Sequence, residues 1–146
     1  MGKEIMSRII EEFGKGFGIP DARLGDYGSW SFLAGDILVT LQADGDGTVE
    51  CFSFLGEIEH PTEDLYETLL EADFFFRETH GATIGVSKAT RVATLAYRMP
   101  VEGLDGGKFR QVMENFINLA AHWQARLAGA QGFKTAEPVL PGEMKV

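Results

Sequence analysis

Few side chains in this sequence are suited to chemistry, and their spacing decides what they can do. Histidine occurs only at 60, 80 and 122, and cysteine only at 51. None of these falls at Cys-x-x-Cys, His-x-x-x-His or His-Glu-x-x-His spacing, so the usual ligand sets for a metal are missing. A lone cysteine closes no internal disulfide, and Cys51 is expected as a small buried hydrophobe on a strand, which suits a reducing cytoplasm. His60 and His80 flank a helical pattern at cap or turn positions, and His122 is expected to face solvent beside Trp123. The run Asp44-Gly45-Asp46-Gly47 sets Asp44, Asp46, Thr48 and Glu50 at alternate positions, as a calcium loop does. It departs from that loop twice, with Val49 where the sixth-position glycine belongs and Leu55 where the twelfth-position glutamate belongs. Gly14, Gly16 and Gly18 follow no strand, and neither a P-loop nor a Gly-x-Ser-x-Gly elbow occurs. Glu63 and Asp64 sit in an exposed helical turn, where a raised pKa for acid catalysis is not expected. The residues therefore argue for no catalytic, cofactor-binding or metal site, and point toward binding.

Charge narrows the partners. The net charge is −9, and no Lys or Arg lies between Arg23 and Arg77, an interval holding twelve Asp or Glu. Seven of these crowd between Glu57 and Asp73. Such a surface repels phosphate backbones, which disfavours nucleic acid and anionic membranes. The acidic region serves solubility or attracts a basic or unfolded partner. No apolar run approaches the roughly 18 residues of a membrane span. The N-terminus lacks the apolar core of a signal peptide, and Met6 stands where myristoylation needs Ser or Thr.

The elements that position these residues follow from periodicity. With 146 residues and 45% hydrophobic content the chain suits one domain over 1–130, followed by a flexible tail over 131–146. Ile5, Ile9 and Phe13 make a helical row from Lys3 to about Phe13, which the glycines and Pro20 then break. Alternation predicts strands over Tyr27–Leu33, Asp36–Ala43 and Val49–Leu55, the last two joined through the Asp-Gly turn. Pro61 suits a first helical turn, and Leu65, Leu69, Ala72 and Phe76 share one row of a helix that ends in a left-handed cap at His80-Gly81. Two further strands follow, around Ile84 to Val86 and from Arg91 to Met99. A last helix from Asp105 or Gly106 carries Phe109, Val112, Met113, Phe116, Ala120, Trp123 and Leu127, and Gly129 ends it. The order α-β-β-β-α-β-β-α describes an α+β fold, an antiparallel five-stranded sheet with three helices.

Two features exceed what such a core needs. Tyr66, Leu70 and Phe74 form a second apolar row beside the first on the central helix. Trp30, Phe32, Phe52 and Phe54 are expected to oppose Ile37, Val39, Leu41 and Val49 across the sheet, and three helices are few for covering both faces.

In LLEADFF at the end of the central helix, GATIGVS, VATLAYRMP, and LD before a helix with FINLAAHWQARL, the chain resembles the class I type III secretion chaperones, the Tir-chaperone (CesT-like) family. The resemblance reaches to about Leu127, and Asp73 stands where the family more often has Asn. It implies a small cytoplasmic homodimer, without cofactor, that holds an extended segment of a secreted effector unfolded for export. It also implies a dimer contact through Leu65, Tyr66, Leu69, Leu70 and Phe74, and client contacts through Ile9, Phe13, Trp30, Phe32, Phe52 and Phe54. The alternative is a regulator resembling the YbjN-like sensory-transduction family, or another protein-binding module. Replacing Cys51 with Ser, or any histidine with Gln, is expected to leave client binding within a few-fold of wild type. Isothermal titration checks this, and loss of binding in a variant that still folds would bring back a metal or redox reading.

Overall fold

The computed structural model describes residues 2–137. Its longest element is the last helix, α3 (Gly106–Ala128), whose Phe109, Met113, Phe116, Ala120, Trp123 and Leu127 are all buried. Steps of three and four residues keep these side chains on one stripe. The Asp105 carboxylate caps the helix by accepting from the Lys108 N–H at 2.8 Å, and Gly129 closes it. The stripe rests on an antiparallel sheet of β1 (Ser29–Ala34), β2 (Ile37–Ala43), β3 (Thr48–Ile58), β4 (Thr83–Val86) and β5 (Val92–Pro100) in spatial order β1-β2-β3-β5-β4. The first helix, α1 (Gly2–Phe17), packs against α3 and β2 and buries Met6, Ile9, Ile10 and Phe13. The middle helix, α2 (Glu63–Ala72), packs against β4 and buries Leu65, Leu69 and Ala72. The expected class and element order hold.

Register assigns the two faces, because directly paired residues of an antiparallel ladder point the same way. Trp30 pairs with Leu41, Phe32 with Val39, Leu41 with Cys51 and Val49 with Met99, and this is the face the helices cover. Phe52 pairs with Thr40 and Ala96, and Phe54 with Thr94, on the other face. The expected opposition of Trp30 and Phe32 to Val39 and Leu41 is thus corrected. Only Phe52 and Phe54 lie across the sheet from the core.

Three elements differ from the sequence reading. α1 continues past Phe13 to Phe17. A Cβ on Gly14 would collide with the Ala22 side chain, so this glycine lets the following segment close on the helix instead of breaking it. The turn comes at Gly18, at φ +68°, where the Ile19 N–H donates to the Gly14 carbonyl at 2.8 Å. α2 starts after Thr62, whose hydroxyl accepts from the Leu65 N–H at 3.1 Å, so Pro61 precedes the cap. It stops at Ala72, well short of His80, because the Asp73 carboxylate accepts the Ile84 N–H at 2.8 Å and ties the chain to the edge of β4.

The third difference is a sixth strand, β6 (Phe133–Thr135), inside the stretch expected as tail. It pairs with Gly56–Ile58 of β3, whereas β2 pairs only with residues up to Phe52. A Cβ on Gly56, at φ +156°, would meet the Phe133 ring at 2.6 Å and the Lys134 carbonyl. The Gly132 carbonyl accepts from the Glu59 and His60 N–H groups at 2.8 and 3.1 Å. The rest of the expected tail, 138–146, lies outside the described residues. Gly56→Ala is expected to lift β6 off the sheet and cost about 2–3 kcal/mol, from overpacking at a backbone angle that side chains disfavour. Urea unfolding measures it, and a loss below about 0.5 kcal/mol would mean that β6 is not seated against this glycine.

Candidate functional site

Among the described residues, exposed apolar side chains cluster in three places. The first grows out of α2. Its inner row is in the core, while on its outer row Leu70 is 73% exposed and Tyr66 also faces outward. The ridge continues into a 3-10 turn, Phe74–Phe76, with all three rings exposed. Phe75 and Phe76 have φ of +52° and +57°, in the left-handed region that bulky residues avoid. The Asp73 anchor on β4 forces the chain to turn there, and the rings fan outward. Phe74 and Phe75 lie 4.5 Å apart, and the Arg77 guanidinium stands 5.8 and 5.9 Å from their centroids.

The second place is the uncovered face of the sheet. Phe54 is 50% exposed and Phe52 half-buried, with ring centroids 5.7 Å apart. Around them lie Ser31 and Thr40, whose hydroxyls share a 2.8 Å hydrogen bond, so the face mixes rings with satisfied polar groups. The third is a groove of about 400 Å³ between the end of α1, β1 and α3, lined by Phe13, Phe17, Ile19, Phe32, Leu33 and Ile117. Phe13 and Phe17 lie 4.7 Å apart, and the Arg110 guanidinium sits 4.8 Å over Phe17. Trp30 is half-buried and stacks on Phe32 at 4.8 Å and 26°.

The sequence-derived site residues therefore divide. Leu65 and Leu69 are core residues, whereas Tyr66, Leu70 and Phe74 stand on the surface beside them. Ile9, Phe13 and Phe32 are also core, because their rows face α3 and the sheet; Phe13 and Phe32 meet the groove only from below. Trp30, Phe52 and Phe54 keep reachable surface. Phe17, Leu33, Phe75 and Phe76 belong to these surfaces and were not among the candidates. Three consecutive phenylalanines were the available signal, since neighbours on a helix point about 100° apart and cannot all reach one core.

The residues suited to chemistry are placed apart. Cys51 is fully buried, and burial pushes its thiol up to about 12, so it offers no thiolate at neutral pH. Among the described residues no group of three His, Cys, Asp or Glu could hold a metal ion, and no helix is long and apolar enough to cross a membrane. At the Asp44–Gly47 turn the cation is internal. The Arg98 guanidinium lies 3.4 Å from Asp44, 3.8 Å from Asp46 and 3.5 Å from Glu50. The neighbouring Asp46 side chain and backbone N–H, then the Thr48 hydroxyl and Arg98, hold the Asp44 carboxyl down to about 2.

This is a small α+β domain with a sheet covered by helices on one side and aromatic surface on the other. The chain belongs to the Tir chaperone protein (CesT) family, whose model matches residues 8–124. It is similar in structure to the ExsC-ExsE complex, at TM-score 0.77 and 20% identity, over 88% of this chain and 98% of that one. It is also similar to the HopA1-SchA chaperone-effector complex, at TM-score 0.67 and 14% identity over 86% and 97% of the two chains. A third likeness is to the Yersinia pestis type III secretion chaperone SycH in complex with a stable fragment of YscM2, at TM-score 0.61 and 16% identity over 80% and 97%. At these identities the likenesses establish the fold. No curated protein sequence matches the chain.

The lowered Asp44 pKa carries a pH prediction. A carboxyl depressed from 3.8 to about 2 contributes stability that is fully present above the unfolded value and is lost as pH falls through the folded one. The hairpin turn is expected to loosen only below the range where ordinary carboxylates protonate. Carbon-detected NMR titration of the Asp44 carboxyl should give a midpoint near 2, and a midpoint at 3.8 would remove the Asp46, Thr48 and Arg98 contacts from this role.

Proposed function

We propose that this protein is an effector-binding chaperone of a type III secretion system, working in the cytoplasm as a homodimer. It holds an extended segment of its client unfolded until export. The observation that carries the reading is exposed aromatic surface on a chain with net charge −9: apolar ground is kept open while charge keeps the protein soluble. Membership of the Tir chaperone protein family supports it, as do the similar structures that are chaperones with effectors bound.

In this reading the three apolar places divide between two roles. The ridge of Tyr66, Leu70 and Phe74, extended by Phe75 and Phe76, meets the same ridge of a second copy, and Leu65 and Leu69 stiffen it from the core. A self-complementary patch along one helix is what a two-fold contact needs. The client lies over Phe52 and Phe54 on the open sheet face and along the Phe17 groove, with Trp30 at its edge. An extended segment loses conformational entropy on binding, so several separate anchors suit it better than one salt bridge.

Purification from the native cell with identification of the co-purifying polypeptide tests the reading directly. A small molecule that raises the melting temperature, with no polypeptide bound, would overturn it. Leu70→Asp should shift the dimer toward monomer in sedimentation, because an unpaired carboxylate in an apolar contact costs several kcal/mol; a wild-type monomer at tens of micromolar would sink the dimer. Phe54→Ala should weaken client binding by roughly 1–4 kcal/mol and leave folding intact. Phe32→Ala should instead destabilise the fold by about 3–5 kcal/mol. Calorimetric titration beside urea unfolding separates the two, and equal behaviour of both variants would contradict the assignment of faces.

A further inference from the structure

Beyond the Phe17 groove, the same side of α3 carries a second hollow of about 360 Å³, between the β1–β2 turn, the later turns of the helix and β6. The two share Ala34 and Ile117, so they form one channel along α3. Past Ile117 its floor is Ala121, Ala125 and Ala128, all exposed. Steps of four and three put these methyl groups on one row, and side chains this small let another backbone come close to the helix. One occupant is covalently at hand. β6 runs antiparallel to β3, and its ladder continues to the Ala136 N–H, which donates to the Leu55 carbonyl at 3.2 Å. β2 lies along the same edge of β3 in the same direction and begins at Ile37, so a ladder prolonged past Ala136 would run into the start of β2. Residue 138 is proline, which has no N–H to donate. Thr135, on the same face of β6 as the buried Phe133, lines the channel. The point where the ladder must stop is therefore the mouth of the channel.

Residues 138–146 read Pro-Val-Leu-Pro-Gly-Glu-Met-Lys-Val, with apolar side chains at Val139, Leu140 and Met144. Chain geometry sets their reach. At about 3.3–3.6 Å per residue, Leu140 extends at most about 10 Å past Glu137 and Met144 at most about 25 Å. From Ala128 back to Ile117 the helix rises roughly 16 Å, at about 1.5 Å per residue, so the segment can span the channel to its Phe17 end. Charges also match there. Glu114 lines that end and pairs with Arg110 at 3.5 Å, and Arg110 covers Phe17, so Lys145 and Glu143 would each find an opposite partner. A segment tethered at Glu137 meets the channel at an effective concentration on the order of millimolar, so a contact too weak for a free peptide suffices to fill it.

We propose that residues 138–146 fill this channel, with Val139 and Leu140 against Ala121 and Ala125 and Met144 toward Phe17, as an internal stand-in that a client segment must displace. The displacement rests on the effector-binding reading; the docking does not. Docking is tested on the full chain carrying a nitroxide at Met144→Cys. Cys51 is buried and its thiol stays protonated, so the label goes to the new cysteine alone. The nitroxide should broaden the amide signals of Phe17, Leu33 and Ile117, and adding Leu140→Asp should abolish that broadening. Broadening confined to Thr135–Glu137, broadening at Phe54 and Thr94 on the open face instead, or no effect of Leu140→Asp would overturn the docking. The same broadening in a mixture of spin-labelled and isotope-enriched chains would put the segment on a second copy, and would overturn it too. With a client in hand, stopping the chain after Glu137 should tighten binding roughly threefold to tenfold, as should Leu140→Asp, because a competitor that fills most of the site lowers the competent fraction by about that factor. Docking without any tightening would overturn the displacement. Failure to find any polypeptide client would overturn the chaperone reading and leave the nitroxide result to decide the docking.

Discussion

The seating of α3 on one face of the sheet is the interaction on which the rest of the structure depends. Its stripe from Phe109 to Leu127 supplies several of the largest fully buried side chains, and Phe13 of α1 meets Phe109 edge-on at 5.3 Å. Trp123 does more than fill space. Its indole N–H holds the Glu78 carbonyl, so the same helix that forms the core also fixes the segment between α2 and β4. With α1 and α3 committed to one side, no long helix remains for the other. The open face and its phenylalanines follow from that shortage.

The turn after α2 shows how a single polar contact redirects apolar side chains. A helix running to His80 would have placed Phe76 in line with Leu65, Leu69 and Ala72, inside the core. The Asp73 carboxylate bonds to the Ile84 N–H instead, which ends the helix at Ala72 and leaves Phe76 outside, 52% exposed. The same bond occupies an edge N–H of β4 and so blunts a strand edge that would otherwise invite pairing. Left-handed backbone at Phe75, Phe76 and His80 costs energy, and the surrounding contacts must hold it. Trp123 and Arg126 provide that hold through Glu78.

Elements with a sustained period were legible in the sequence. α3 repeats its apolar spacing along its whole length, and Ile37, Val39, Leu41 alternate cleanly, so their type and buried side were readable. β6 was not, because three residues carry no period and its strand is defined by Gly56 and Gly132, whose roles depend on what packs against them. Gly14 illustrates the same limit, since a glycine that admits Ala22 looks identical to one that breaks a helix. Of the candidate site, the ridge of Tyr66, Leu70 and Phe74 was readable as a second row on one helix. The faces of Trp30 and Phe32 were not, because strand parity fixes alternation within a strand while register between strands decides which set meets the core.

Acidity and exposed rings pull in different directions for a partner, and their placement reconciles them. Copies carrying −9 each repel at long range, but at physiological salt that repulsion fades beyond roughly 8 Å. In the proposed dimer, contact between ridges would therefore be decided by what lies at the ridge itself. There the Arg77 guanidinium stands against Phe74 and Phe75 and places a cation beside the acidic α2, which would lower the local cost of bringing two such ridges together. In the proposed function a client faces a different surface. Phe54 stands among Thr40, Thr94 and Ala96 on a face whose charges, Glu50 and Arg98, are already paired with each other. A segment laid across that face would give up little charge solvation and gain ring contact at each anchor, so on this proposal it would be selected by the spacing of its apolar residues, while the acidic remainder of the surface would only bias which segments arrive.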